Sequence, residues 1–250
     1  MAYTTIKKPS DYFNTKLYTG NGSTNAITGV GFQPDFTWIK SRTEGYGHSL
    51  FDAVRGVTKA IASEGTGAEY TFSTGLTAFG SDGFTLGSGT VVNNNSQNHA
   101  SWNWKANGAG SANTDGSISS TVSASATSGF SVVTYTGNNT NGATVGHGLG
   151  VIPSMVIVKK LSATRDWMVK HKDLTSNHNI SLNTTAAQFN SPVNGWISNL
   201  TSNQTISFSI GSSDIDNVNQ GAQQYVAYCF ADVQGYSKFG SYTGNGNADG

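Results

Sequence analysis

Apolar and polar residues alternate over short runs along most of this chain, with a period of two. Residues 13–19 alternate. In 35–42, Phe36, Trp38 and Lys40 fall on one side and Thr37, Ile39 and Ser41 on the other. That period belongs to a strand buried on one face, because successive side chains point to opposite sides of the pleat. Further runs of this kind cover 48–52, 69–73, 83–86, 100–106, 130–136, 154–160, 166–171, 179–183, 196–200, 205–210 and 224–230. Clusters of Gly, Asn, Asp and Ser separate them and supply turns, as Ser81-Asp82-Gly83 does before Phe84. Only 52–62 reads as a helix, and Gly56 with several β-branched residues weakens it. The pattern predicts an all-β protein of antiparallel sandwiches or barrels.

The runs recur in a larger order. Tyr-Thr-Gly-Asn occurs at 18–21, 135–138 and 242–245, with 117 residues from Tyr18 to Tyr135 and 107 from Tyr135 to Tyr242. Such spacing suits a small domain and is too long for a solenoid repeat. After the first phrase come Gly29-Val30-Gly31-Phe32, Pro34 and a strand ending at Lys40. After the second come Gly146-His147-Gly148-Leu149, Pro153 and a strand ending at Lys159. Phe84-Thr85-Leu86-Gly87-Ser88 parallels Phe208-Ser209-Ile210-Gly211-Ser212, and Trp102-Asn103-Trp104 parallels Tyr228-Cys229-Phe230. We therefore expect two tandem antiparallel β-sandwich domains of jelly-roll type, related by internal duplication, with two halves of one larger sandwich as the alternative. An N-terminal segment (1–12) precedes repeat 1 (13–106). A Gly/Ser/Ala/Thr-rich linker (107–129), with a solvated edge strand around 118–122 as its alternative reading, leads to repeat 2 (130–235). Residues 236–250 open a third repeat with one strand and a turn, which pairs in cis, pairs with a neighbouring subunit or stays frayed as a chain end. Trp38, Trp102 and Trp104 are expected to fill the first core, and Ile157, Tyr228 and Phe230 the second.

Composition narrows the function. Of 250 residues 11% are charged and the net charge is zero, so the basic footprint of a nucleic-acid binder is missing. The basic stretch 159–172 is broken by Asp166 and Asp173 and reads as a solvated face. The lone Cys229 excludes an internal disulfide and, between Tyr228 and Phe230, reads as a small buried side chain. No apolar run is long enough to cross a bilayer, so membrane insertion is not expected. The start lacks the apolar core of a secretory signal, which implies synthesis in a cytoplasm and exit by another route such as phage lysis.

Catalytic constellations find little support. The only glutamates are Glu44, Glu64 and Glu69. Glu64 and Glu69 sit in a Gly-rich stretch without counterparts in the second repeat, so the two facing carboxylates of a glycosidase are not in evidence. The five histidines show no metal-ligand spacing, and neither a nucleophile elbow nor a phosphate loop is present. Two loops stand at one repeat position, before the final aromatic strand. Asn93, Asn94, Asn95 and Asn98 belong to the first, and Asp214, Asp216, Asn217 and Asn219 to the second. Their amides and acids read as a solvated loop tip, as contacts for sugar hydroxyls, or, for Asp214 with Asp216, as a calcium site. No other cofactor is expected.

The opening Met-Ala-Tyr-Thr-Thr-Ile through Gly22, the stretch 29–40 and Leu50-Phe51-Asp52-Ala53-Val54-Arg55-Gly56 together resemble the repeat modules of virion proteins of tailed phages, abundant in marine phages. The resemblance is strong over 1–106 and looser over 130–235. The second repeat has Trp167-Met168-Val169-Lys170-His171 in place of the Phe-Asp-x-Val-Arg-Gly segment. It implies a tail fibre or surface appendage of concanavalin-like or jelly-roll modules, with no catalytic residues to carry over. The expected partners are copies of itself in a homo-oligomer, with a trimer favoured, other virion proteins and host-surface glycans. A capsid decoration protein without a ligand and a polysaccharide-degrading enzyme are the alternatives.

Overall fold

Backbone pairing follows the alternation. A computed structural model describes residues 4–190, 195–210 and 217–247. The first half contains β1 (Phe13–Thr19), β2 (Asn25–Ile27), β3 (Phe36–Ser41), β4 (Ser49–Asp52), β5 (Lys59–Ala60), β6 (Tyr70–Thr71), β7 (Leu76–Gly80) and β8 (Gly83–Leu86). A single helical turn α1 (Thr90–Asn93) leads into β9 (Asn98–Trp104). β10 (Ser111–Asn113) and β11 (Ser120–Ser125) follow. The second half contains β12 (Phe130–Thr136), β13 (Thr144–Gly146), β14 (Met155–Lys160), β15 (Met168–His171), β16 (Ile180–Ser181), β17 (Trp196–Ile197), β18 (Thr205–Ser209) and β19 (Gln224–Phe230). The protein is all-β, and every strand ladder among the described residues is antiparallel.

Strand order is the same in the two halves. One sheet runs β1-β9-β3-β4 and the other contains β12-β19-β14-β15, so in each half the last long strand lies between the first and the third. Register matches as well. Phe13 and Phe36 both pair with Trp104, and Phe130 and Met155 both pair with Phe230. The smaller sheets correspond too, β2-β8-β7 with β13-β18-β17.

Part of the expected linker joins the sheet. β10 and β11 add to β12, giving a seven-stranded sheet β10-β11-β12-β19-β14-β15-β16. Of the 107–129 stretch, the edge-strand reading around 118–122 comes nearest. Ser120–Ser125 pairs along its whole length with Phe130–Thr136, and Ile118 and Val122 are buried. The helix expected over 52–62 does not form. Gly56 and Thr58 take left-handed φ values of 89° and 64°, and Lys59–Ala60 pairs with Tyr70–Thr71. Among the described residues the tail expected as a strand makes only the bridge Val233–Ser237, and Tyr242 is 94% exposed.

Three apolar clusters hold the layers together. Ile27, Ile39, Phe51, Leu76, Phe84 and Leu86 pack inside the first half. Val133, Tyr135, Val158, Ile206, Phe208 and Tyr225 pack inside the second. The third cluster draws on both, with Phe36, Leu50 and Ile61 meeting Phe130, Ile157, Trp167, Val226 and Tyr228. Trp38, Trp104, Tyr228 and Phe230, expected to fill the core of their own repeat, thus gather between the halves. Phe36 stacks on Tyr228 with ring centroids 4.4 Å apart, and Trp104 lies 6.1 Å from Phe130. Backbone bonds also cross the junction, from Glu69 N to Leu161 O and from Arg165 N to Thr66 O, both 2.9 Å.

Candidate functional site

Asn93 and Asn219, one from each Asn-rich loop, sit in the same hydrogen-bonding arrangement. Asn93 and Asn219 are fully buried, each beside the start of its half's last strand. The side-chain oxygen of Asn93 accepts from Asn21 N, and its amide donates to Asn21 Oδ1, Ser23 O and Gly87 O. Asn219 repeats this with Asn138 N, Asn138 Oδ1 and Thr140 O. Tyr18 and Tyr135 donate their hydroxyls to Val92 O and Val218 O, both at 2.6 Å. The glycine between them is required by close approach, since a Cβ on Gly20 would sit 2.1 Å from Asn94 O and one on Gly137 2.3 Å from Gln220 O. In its first two occurrences Tyr-Thr-Gly-Asn is therefore a clasp joining the end of the first strand to the approach to the last.

This geometry sorts the residues singled out as ligand contacts. The amides of Asn93 and Asn219 are consumed inside the fold, which removes them as sugar contacts. Asn94 is half-buried and Asn95 and Asn98 are exposed, with Asn98 Oδ1 accepting from Thr19 Oγ1 at 3.2 Å. Asn217 is buried and donates to Met168 Sδ at 3.6 Å, and its Oδ1 has no partner among the described residues. Asp214 and Asp216, the calcium candidates, lie outside the described residues. Among the described residues no group of three or more His, Cys, Asp or Glu side chains is placed to hold a metal.

The basic stretch is not a solvated face. Lys159, Lys160 and Lys170 are all buried. Lys159 Nζ donates to Arg165 O and Thr66 O at 2.8 and 3.0 Å, and its repeat equivalent Lys40 donates to Tyr46 O at 2.6 Å. Each lysine caps carbonyls of the hairpin loop six residues on. Burial lowers the pKa of Lys159 to about 8, against the pull of Asp166.

At the junction lies a polar network that sequence reading missed. Asp52 ends β4 and accepts from Arg55 N at 2.8 Å and Arg55 Nε at 2.5 Å. Arg55 Nη1 reaches Glu69 at 3.0 Å, Nη2 reaches Leu50 O at 3.1 Å, and Tyr228 of the other half donates its hydroxyl to Asp52 at 2.8 Å. Burial opposes the charge of Arg55, but Asp52, Tyr228 and Glu69 outweigh it and raise its pKa, while burial raises that of Tyr228. The signal available in sequence was the Asp-x-x-Arg spacing inside Phe-Asp-Ala-Val-Arg-Gly.

Arg55 and Glu69 form one wall of a 430 Å³ cleft between the halves. Thr121, Thr134, Thr136 and Gln224, on β11, β12 and β19, line it too, as does Ser119. Along the same junction runs an apolar cavity of 250 Å³ walled by Trp38, Trp104, Trp167, Phe230 and Phe239 among others. The cleft can form hydrogen bonds, whereas the cavity offers only apolar contact. Among the described residues no helix is long and apolar enough to cross a membrane.

Residues 8–250 match the family model described as a domain of unknown function, DUF7483. No curated protein and no solved structure matches the chain.

Proposed function

We propose, for a chain that belongs to the DUF7483 family, a structural and recognition role without catalysis, as a component of a tailed-phage virion such as a fibre or surface appendage. The observation that carries this reading is the fusion of two like-ordered halves through a shared aromatic core and a buried ion network. Such a junction makes a stiff building block. The carboxylates at the cleft support the non-catalytic part. Asp52 and Glu69 are both tied to the guanidinium of Arg55, which is 2% exposed, so neither is poised as acid or base against a substrate. The matched strand order, clasps and lysine caps support descent of the halves from one duplicated unit.

On this reading the protein assembles with copies of itself as a homo-oligomer, a trimer being favoured, and with other virion proteins, and it faces host-surface glycans. Immunogold labelling of phage particles with antibody to this chain tests the placement. Label on tail or fibre supports it, label on the head alone favours a decoration protein, and no label on particles overturns the virion reading. A reducing-end assay with host polysaccharide tests the absence of catalysis, and product formation abolished by Glu69→Gln would overturn it.

A further inference from the structure

We propose that the cleft between the halves binds a neutral saccharide, which names the ligand class and the site for the surface role above and rests on that reading. The floor of the cleft is a shelf of the seven-stranded sheet. Thr121 lies directly opposite Thr134 across β11 and β12, and Thr136 lies opposite Gln224 across β12 and β19. By alternation Thr134 and Thr136 share the face of Val132, which packs into the core between the halves. The polar shelf therefore continues that apolar face outward, beside Val54, Arg55 and Glu69 of the first half.

Three observations select the ligand. The hydroxyls of Ser119, Thr121, Thr134 and Thr136 and the side-chain amide of Gln224 make no hydrogen bond with any described residue, although they line a concave site. Hydroxyls and an amide both donate and accept, as the hydroxyls of a sugar do. The one cation lining the cleft is Arg55, and its donors are directed at Asp52, Glu69 and Leu50 O, so an anionic ligand finds no open charge partner among the lining residues. The volume, 430 Å³, lies within the range of about 300–1,000 Å³ usual for small-molecule sites. Strands and a buried ion pair hold the walls, so little ordering is needed when a ligand enters.

The test is a titration of the isotope-labelled full chain, followed by amide NMR, with maltotriose, cellotriose, lactose and N,N′,N″-triacetylchitotriose as neutral probes and a hyaluronan tetrasaccharide as the acidic one. Saturable shifts at 119–121, 134–136 and 224 with at least one neutral probe, and weaker shifts with the acidic one, are expected. The triple substitution Thr134→Val, Thr136→Val and Gln224→Leu, which keeps side-chain shape, should weaken binding at least tenfold, and Asn95→Ala with Asn98→Ala should leave it unchanged. Silence with every neutral probe, shifts confined to the Asn-rich loops, or preference for the acidic sugar overturns the assignment. Because the titration maps shifts in the unsubstituted chain, it decides the matter even if the triple variant fails to fold. A chain that labels particles yet ignores every neutral sugar would lose this site and keep its structural role.

Discussion

Asn93 and Asn219 show how one buried amide can stand in for several turn bonds. Replacing Asn93 by Ala strands the amide of Asn21 and the carbonyls of Ser23 and Gly87. The expected cost is roughly 2–4 kcal/mol in urea unfolding, since each buried group left unpaired costs about 1–3 kcal/mol. Asn95→Ala, two residues away on the surface, should stay within about 0.5 kcal/mol. Asp52→Ala leaves the Arg55 charge buried without its main partner and should cost about 3–5 kcal/mol by the same measurement. Sequence alone showed that Tyr-Thr-Gly-Asn recurs, but the recurrence does not say what the motif touches. Its partner lies more than seventy residues downstream, so an Asn that reads as a loop tip is indistinguishable from one that closes a clasp. Burial of Lys159 and Lys170 was hidden for a similar reason, because their carbonyl acceptors belong to loops and leave no residue-type signature.

Strands are the scale at which reading the sequence succeeded best. β1, β12 and β19 span the runs expected from alternation, because each has one face in a core and one facing polar surroundings or a second layer. Short strands such as β2, β10 and β13 are three residues long and carry too few periods to register. β11 escaped as an element because Ser, Ala and Thr dominate it, and Gly56 with Thr58 broke the supposed helix through backbone conformation. The segment after β19 offers a test by pH. Burial works against ionisation of Asp232, but bonds from Lys172, from Phe239 N and from Ser154 outweigh it and hold its pKa at about 2. A carboxylate depressed in the folded state stabilises above its ordinary pKa, and that contribution fades as pH falls through the folded value. The melting temperature of the wild type should therefore drop from about pH 4 to pH 2 more steeply than that of Asp232→Asn. Equal slopes would mean that ionisation of Asp232, held by Lys172, Phe239 N and Ser154, contributes nothing to stability.

For the whole molecule, the shared core predicts that the halves unfold together. Calorimetry should give one transition whose van't Hoff and calorimetric enthalpies agree, and Phe36→Ala should lower stability of the entire chain by about 3–5 kcal/mol. Two separate transitions would contradict the shared core. The all-β character was legible from the alternation, whereas the aromatic cluster that Phe36 and Tyr228 share across the two halves was not. Aromatic strands read alike whether their rings face a core within the repeat or a partner repeat.

Phe36, Trp38, Leu50 and Trp104 present to the junction the same sheet face that Met155, Ile157, Val169 and Phe230, their register equivalents, present from the other side. A two-fold dimer presses matching surfaces together, and here both faces belong to one polypeptide. In a dimer of identical chains every substitution at the interface arrives twice and must suit itself. Within one chain each side can change alone, and Phe36 stands at the register position that Met155 holds in the other half. Unlike faces of this kind let a cleft take what each half can give, Arg55 and Glu69 from the first and Thr134, Thr136 and Gln224 from the second.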